Sequence, residues 1–249
     1  MNFVIVDVET TGGSPKNSKI TEIAMYKFDG TTIIDEFSSL VNPEMEIPEF
    51  IVRLTGITND HVKNAPKFYE IAKKIIEFCD NTIFVAHNVA FDYGMFRSEF
   101  KNLGYDFRKP HLCTVESARK IIPNHASYSL GKLSRALGIV IKNRHRAGGD
   151  ALATTKLFQL LFDKNKKLLE SFIKEELNPK NIHPNLDMDT IDELPSKVGV
   201  YSFYNEFNQI IYIGKSISIK NRVLQPLRNK NTSKAVRMGD EIARVEYEL

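Results

Sequence analysis

Cysteine is nearly absent from this sequence. Its two cysteines, Cys79 and Cys113, stand far apart and form no CxxC pair. That argues against a disulfide framework or a structural zinc site and fits a reducing compartment. Long apolar runs are lacking too, and none approaches the roughly 18–20 residues of a membrane span. The opening MNFVIVDVETTG sets Asp7 where the apolar region of a signal peptide would lie, so a soluble, unexported, cytoplasmic chain is expected. There is no excess of one charge: the net is +3, which says little about partners. There are no internal repeats. What remains is ordinary globular composition, 42% hydrophobic and 26% charged over 249 residues. This excludes collagen-like, low-complexity and wholly disordered chains and allows one or two domains.

The charge is unevenly spread. From Pro195 to the end there are 9 Lys+Arg and 5 Asp+Glu, a net of +4, while the other 25 basic and 26 acidic residues net −1. A basic C-terminal part is compatible with an anionic ligand and equally with a solvated charged face.

Phe3–Val8 is β-branched and apolar on both faces, the pattern of a buried central strand. Thr11-Gly12-Gly13-Ser14-Pro15 breaks the chain. Ile20–Phe28 and Thr32–Leu40 read as strands joined by an Asp29-Gly30 hairpin turn, followed by a loop to Pro48. Helices are predicted from Pro66 to about Phe78, over Ala90–Leu103, Ser129–Leu137 and Gly149–Phe162, with a short strand at Thr82–Ala86. Strands first, then strands alternating with helices, predict an α/β sandwich around a mixed sheet. After Lys164-Asn165-Lys166-Lys167, a short helix to Leu177 and a polar linker over about 178–194 are expected. Beyond it, Val198–Tyr204 and Gln209–Ile213 suggest a hairpin, Lys220–Leu227 a helix and Ile242–Leu249 a strand. The division expected is residues 1–168, a helix and linker over 169–194, and a small α+β part over 195–249.

Asp7 and Glu9 lie two apart at the end of the first strand, so alternation puts both on one face. Adjacent acids there repel each other, a cost that a bound divalent cation would offset. A strand that simply ends in solvated polar residues would look the same. Asp92, in His87-Asn88-Val89-Ala90-Phe91-Asp92, falls in the first turn of a helix, where the helix dipole alone favours a carboxylate. Asp150, in His145-Arg146-Ala147-Gly148-Gly149-Asp150, opens another helix, and N-capping explains it equally. His145 stands upstream on the loop.

Taken together, the order DxE, D and HxxxxD on a strand and two helix starts resembles the DEDDh exonucleases. These are the DnaQ-like family of bacterial proofreading subunits, whose fold is ribonuclease H-like. Leu54-Thr55-Gly56-Ile57-Thr58 is similar to the family's segment between the first two motifs, and the resemblance covers roughly residues 1–165. It implies a mixed five-stranded sheet flanked by helices. It implies Asp7, Glu9, Asp92 and Asp150 as ligands of two Mg²⁺ (or Mn²⁺) ions and His145 as general base. It sets Thr10, His87 and Asn88 near the terminal nucleotide. The implied reaction is 3′→5′ hydrolysis releasing nucleoside 5′-monophosphates. The residue types suit it: two metals about 3.5–4 Å apart serve both attacking and leaving oxygens, hard cations take carboxylate oxygens, and an imidazole changes charge near neutral pH. Arg146 stands where the family's tyrosine branch has its tyrosine, so the histidine branch fits.

The C-terminal part holds Gly199-Val200-Tyr201, then Tyr212-Ile213-Gly214-Lys215-Ser216, then Arg222. A hairpin whose tyrosines pack against a helix would carry either triplet. The full set, with Arg222 ten residues after Tyr212, resembles the GIY-YIG endonucleases, notably the N-terminal domain of the excision-repair nuclease UvrC. That implies Tyr201 and Tyr212 near the nucleophile, Arg222 on phosphate charge and Lys215 helping to hold the site. The family's metal-binding glutamate lies well downstream of the arginine, and Glu246 and Glu248 come too early. Only about 55 residues run from Pro195 to Leu249, so a partial domain without endonuclease activity is expected, in a fragment of a longer product.

The function expected is a metal-dependent 3′→5′ exonuclease, with nucleic acid, DNA ahead of RNA, as its partner and no membrane. DNA repair is favoured over polymerase-associated proofreading, because proofreading subunits do not carry this tail; a DNA polymerase or repair proteins are the protein partners considered. An exoribonuclease is not separated by the motifs. A binding module with an inactive nuclease fold would have lost one of the acids, and all are present.

Overall fold

The computed structural model describes residues 1–177, 182–228 and 233–249. The chain divides into two compact units, Met1–Lys174 and Glu175–Leu249.

The first unit opens with β1 (Asn2–Thr10), β2 (Ile20–Phe28) and β3 (Ile33–Leu40), an antiparallel meander. The turn between β2 and β3 is fixed by the Asp29 carboxylate, which accepts the Thr31 and Thr32 amides at 2.7 and 2.8 Å. Next come α1 (Glu49–Thr55), α2 (Asn59–Val62), α3 (Phe68–Phe78), β4 (Thr82–Ala86), α4 (Val89–Asn102) and β5 (His111–Cys113). Then follow α5 (Thr114–Ile121), α6 (Leu130–Ala136) and α7 (Ala147–Glu170). The sheet order is β3-β2-β1-β4-β5, with β4 parallel to β1 and β5 parallel to β4. This is the mixed five-stranded sheet with flanking helices that the sequence predicts.

Strand alternation divides the core in two. Val4, Val6 and Val8 point into one cluster with Phe84, Phe96 and Phe100. Phe3 and Ile5 point into another with Leu157, Phe158 and Leu161 of α7. Burying a side chain of this size contributes about 1.5–3 kcal/mol, so a one-residue slip of β1 would forfeit both sets at once. The same parity carries Asp7 and Glu9 to the α7 side of the sheet and leaves α4 on the other.

Several elements depart from expectation. The helices α1, α2 and α5 and the three-residue β5 were not predicted; α5 buries a regular face, but it is built mostly of Thr114, Ser117 and Ala118, which do not stand out as apolar. The helix α7 continues past Phe162 to Glu170 across a non-helical Asn165. The segment behind it is not a helix: Lys174 pairs its backbone with His111 instead, at 2.8 and 3.0 Å.

The stretch read as linker is largely part of the second unit. It contains α8 (Met188–Glu193), capped by the Asp187 carboxylate on the amides of Asp189 and Thr190. Leu177, Leu186, Ile191 and Leu194 are buried with Tyr201, Phe203, Val223 and Leu227. Spaced too far apart to look amphipathic, these four still supply core; residues 178–181 of the expected linker lie outside the described residues. The unit continues with β6 (Gly199–Tyr204), β7 (Ile210–Ser216), α9 (Ile219–Arg228), α10 (Ser233–Glu241) and β8 (Arg244–Glu248), in the sheet order β7-β6-β8. Among the described residues, no helix is long and apolar enough to cross a membrane.

Candidate active site

The end of β1 meets the start of α7. Asp7, Glu9 and Asp150 each offer a carboxylate oxygen, and these atoms all lie within 4.8 Å of one another. Asp92 stands outside that trio, for the reason of parity given above. From the first turn of α4 it reaches the strand's backbone, its Oδ1 accepting the Val8 amide at 3.1 Å. Its charge still acts on Asp7.

The acids are held where they are costly to ionise. Burial first, then the neighbouring charges of Asp92, Asp150 and Glu9, push the Asp7 carboxyl well above the usual carboxylate range. Burial, with Asp150 and Glu22, pushes Glu9 up to about 8. Burial raises Asp92 against the opposing hydrogen bond from Val8, and burial raises Asp150 against the His145 amide. The Oδ1 of Asp150 is buried with no hydrogen-bond partner among the described residues. Clustered hard oxygens, mutual repulsion and an unpartnered buried carboxylate oxygen fit a divalent cation.

His145 sits on the loop before α7, half-buried, with a left-handed backbone (φ 61°). Its amide donates to Asp150 Oδ2 at 3.1 Å, so the histidine and the acid are fixed to each other. The approach of this loop to α7 requires a glycine. A Cβ on Gly149 would lie 1.9 Å from the Lys142 carbonyl oxygen and 2.7 Å from that of Asn143.

Two supporting roles at the site went unread in the sequence, those of Glu22 and Arg146. Glu22 lies opposite Glu9 in the β1–β2 register and is buried. Arg146 grips it with Nε at 3.0 and 3.2 Å and Nη2 at 2.6 Å, and the Ala147 amide donates to the same carboxylate at 2.8 Å. Like charges directly opposite are destabilising; the guanidinium offsets that repulsion and ties the His145 loop to β2. The available signal was Glu22 itself, one acid inside the apolar run of β2.

The three residues expected at a terminal nucleotide have these surroundings. His87 is engaged at both ring nitrogens, Nδ1 with Thr114 Oγ1 and Nε2 with the Tyr128 carbonyl, each at 2.9 Å. Burial lowers its pKa. It joins β4 to α5 and to the Tyr128 segment, and offers no free nitrogen to a substrate. Thr10 is buried and donates to the Gly12 carbonyl at 2.7 Å, shaping the turn after β1. Asn88 is exposed in a left-handed conformation (φ 75°) ahead of α4.

In the second unit, Tyr201 is buried and its hydroxyl accepts from Arg222 Nε at 3.2 Å. The Tyr201 and Tyr212 rings stack with centroids 5.9 Å apart. Gly214 is paired with Tyr201 across the sheet, and a Cβ there would meet the Tyr201 hydroxyl at 2.5 Å, which explains the glycine between the two tyrosine strands. Lys215, expected beside this group, is exposed and paired with Val200. Alternation turns it to the face opposite Gly214 and Tyr212.

Comparison with known proteins agrees with this geometry. A family model described as exonuclease matches residues 4–158, and one described as UvrC-like GIY-YIG domain matches residues 197–249. A PolC-type DNA polymerase III of Clostridium perfringens is 37% identical over 186 residues, 75% of this chain and 13% of that protein. A Mycobacterium tuberculosis protein named as a bifunctional exonuclease/endonuclease is 32% identical over 264 residues, 98% of this chain and 40% of that protein. The chain thus spans well under half the length of these relatives. Among solved structures, exonuclease X in complex with 5′ overhanging duplex DNA superposes with a TM-score of 0.57 at 24% identity, covering 68% of this chain and 96% of that one.

Proposed function

Since the chain belongs to the exonuclease family, we propose that its first unit is a divalent-metal-dependent 3′→5′ exonuclease that acts on DNA and releases nucleoside 5′-monophosphates. The observation that carries this is the convergence of Asp7, Glu9 and Asp150, with their ligand oxygens within 4.8 Å of one another and one buried oxygen unpartnered. These three, with Asp92 beside them, would hold Mg²⁺ or Mn²⁺. Bound there, the ions would stabilise charge on the scissile phosphate and make water acidic enough to attack. The chain's own groups do the rest. The His145 imidazole takes the water proton as the water oxygen bonds to phosphorus and the bond to the 3′ oxygen breaks. Asp150 fixes the backbone of His145. Arg146 and Glu22 anchor the same loop.

A DNA substrate is supported by the DNA polymerase and the DNA complex named above. A repair role is favoured over proofreading because the relative matching 98% of this chain, tail included, is named for combined exonuclease and endonuclease activity.

The test uses 3′- and 5′-labelled single-stranded DNA, duplex DNA and RNA with Mg²⁺ or Mn²⁺. Asp7→Ala and Asp150→Ala should abolish mononucleotide release, and His145→Ala should slow it by about 10²–10⁴-fold while leaving metal binding in calorimetry intact. Unchanged release in either acid variant would sink the assignment; preference for RNA would replace DNA as the substrate.

A further inference from the structure

The near-neutral charge outside the C-terminal part conceals a stretch of one sign. From Ser117 to Gly149 there are seven Lys or Arg residues and no Asp or Glu. One of the seven, Arg146, is engaged by Glu22. The other six, Arg119, Lys120, Lys132, Arg135, Lys142 and Arg144, are all exposed, and none has an ion-pair partner among the described residues. Six unpaired like charges on neighbouring elements repel one another, and a polyanion relieves that repulsion.

Arg119, Lys132, Arg135 and Arg144 lie along a connected path, with Lys120 next to Arg119 and Lys142 two residues before Arg144 in the chain. On α6, Leu133 and Ser134 are buried, which leaves Lys132 and Arg135 outward and three residues apart, neighbours on the helix surface. The Arg119 guanidinium lies over the Tyr128 ring, 5.7 Å from its centroid, and Tyr128 stands just ahead of α6. The Arg144 guanidinium lies against Gly131 in the first turn of α6. Arg144 is followed directly by His145, whose amide is bonded to Asp150. A face of cations therefore begins at α5, crosses α6 and ends at the acid cluster.

We propose that this face binds the sugar–phosphate backbone of the substrate strand upstream of the scissile bond, so that affinity grows with strand length. The proposal rests on the exonuclease reading of the acid cluster. Lys and Arg on flexible stems suit it, because backbone phosphates are contacted regardless of sequence and each contact releases bound counterions.

The test is equilibrium binding, by fluorescence anisotropy in EDTA, of labelled single-stranded 12-mer and 3-mer DNA over a salt series. Lys132→Ala/Arg135→Ala/Lys142→Ala should weaken 12-mer binding and flatten its log K against log salt slope by about 2, at about 0.7 per phosphate contact for a single strand. It should leave 3-mer binding as in the parent. Lys132→Arg/Arg135→Lys/Lys142→Arg should restore the slope, which a merely structural loss would not allow. Removing three cations elsewhere, Lys73→Ala/Lys101→Ala/Lys166→Ala, should not move it. Equal slopes for parent and basic-face variant, or failure of the charge-keeping variant to restore it, would overturn the surface. Nucleotide release by the parent is assayed separately. Release with an unmoved slope rejects the surface alone, and a moved slope without release rejects the reaction alone.

Discussion

Asp7, Glu9, Asp92 and Asp150 make the metal-free protein sensitive to pH in a direction opposite to that of most carboxylates. Free carboxyls in an unfolded chain titrate near about 4. In the folded chain burial raises all four, and repulsion from neighbouring acids adds to it at Asp7 and at Glu9, which reaches about 8. A raised acid favours the folded state fully below its unfolded value, and the advantage is lost as pH rises through its folded value. In EDTA, the melting temperature of the parent should therefore fall relative to Asp7→Asn between pH 4 and pH 8, and Mg²⁺ or Mn²⁺ should restore it in the parent only. Scanning calorimetry decides this, and a parent–variant difference that is flat across that range would refute it. At this scale the chemistry was legible because it needs particular residue types at fixed spacings. The pairing of Glu22 with Arg146 was not legible, since it depends on strand register and on a loop 124 residues away. The engagement of His87 was not legible either, because a histidine's two ring partners, here Thr114 and Tyr128, are set by tertiary structure.

At the scale of elements, the first turn of α7 carries the site's tolerance. Gly148 and Gly149 are both helical, and alanine in a helix is ordinarily favoured over glycine by about 0.5–1 kcal/mol. For Gly148→Ala nothing lies within 4 Å of the added Cβ, so a small gain in stability is expected. For Gly149→Ala the Cβ would lie 1.9 Å from the Lys142 carbonyl oxygen. Backbone must move, overpacking of this kind costs about 1–3 kcal/mol, and the loss outweighs the propensity gain. Urea unfolding should separate the two variants in sign, and Gly149→Ala should also lower nucleotide release because the displaced loop bears His145. Equal stability of the two would contradict the close approach. The same scale shows which elements could be read in advance. The strand β1 and the helix α7 are long and patterned, whereas β5 has only three residues and α5 buries Thr114, Ser117 and Ala118, too small or polar to read as an apolar face. The helix α8 was hidden because its apolar residues are sparse and bury against a unit whose outline only folding reveals.

For the molecule as a whole, the division of the chain assigns the reaction to one part of it. The acid cluster, the His145 loop, its anchors Glu22 and Arg146, and Gly149 lie within Met1–Lys174. Phe3 and Phe158 belong to that unit's core, while Leu177 already belongs to the core shared with Tyr201 and Val223. A boundary between separate cores is where a chain can be cut without exposing either one. A polypeptide of residues 1–176 keeps the backbone pairing of Lys174 with His111 and removes none of the residues that hold the site. It should unfold in a single cooperative transition and release nucleotides with the kcat of the full chain, whereas Asp7→Ala in the same polypeptide should release none. Calorimetry and the labelled-strand assay measure the two expectations separately. A broad, non-cooperative transition would show that the first core depends on residues after Glu176. A cooperative transition with lost turnover would show that the second unit takes part in the reaction itself.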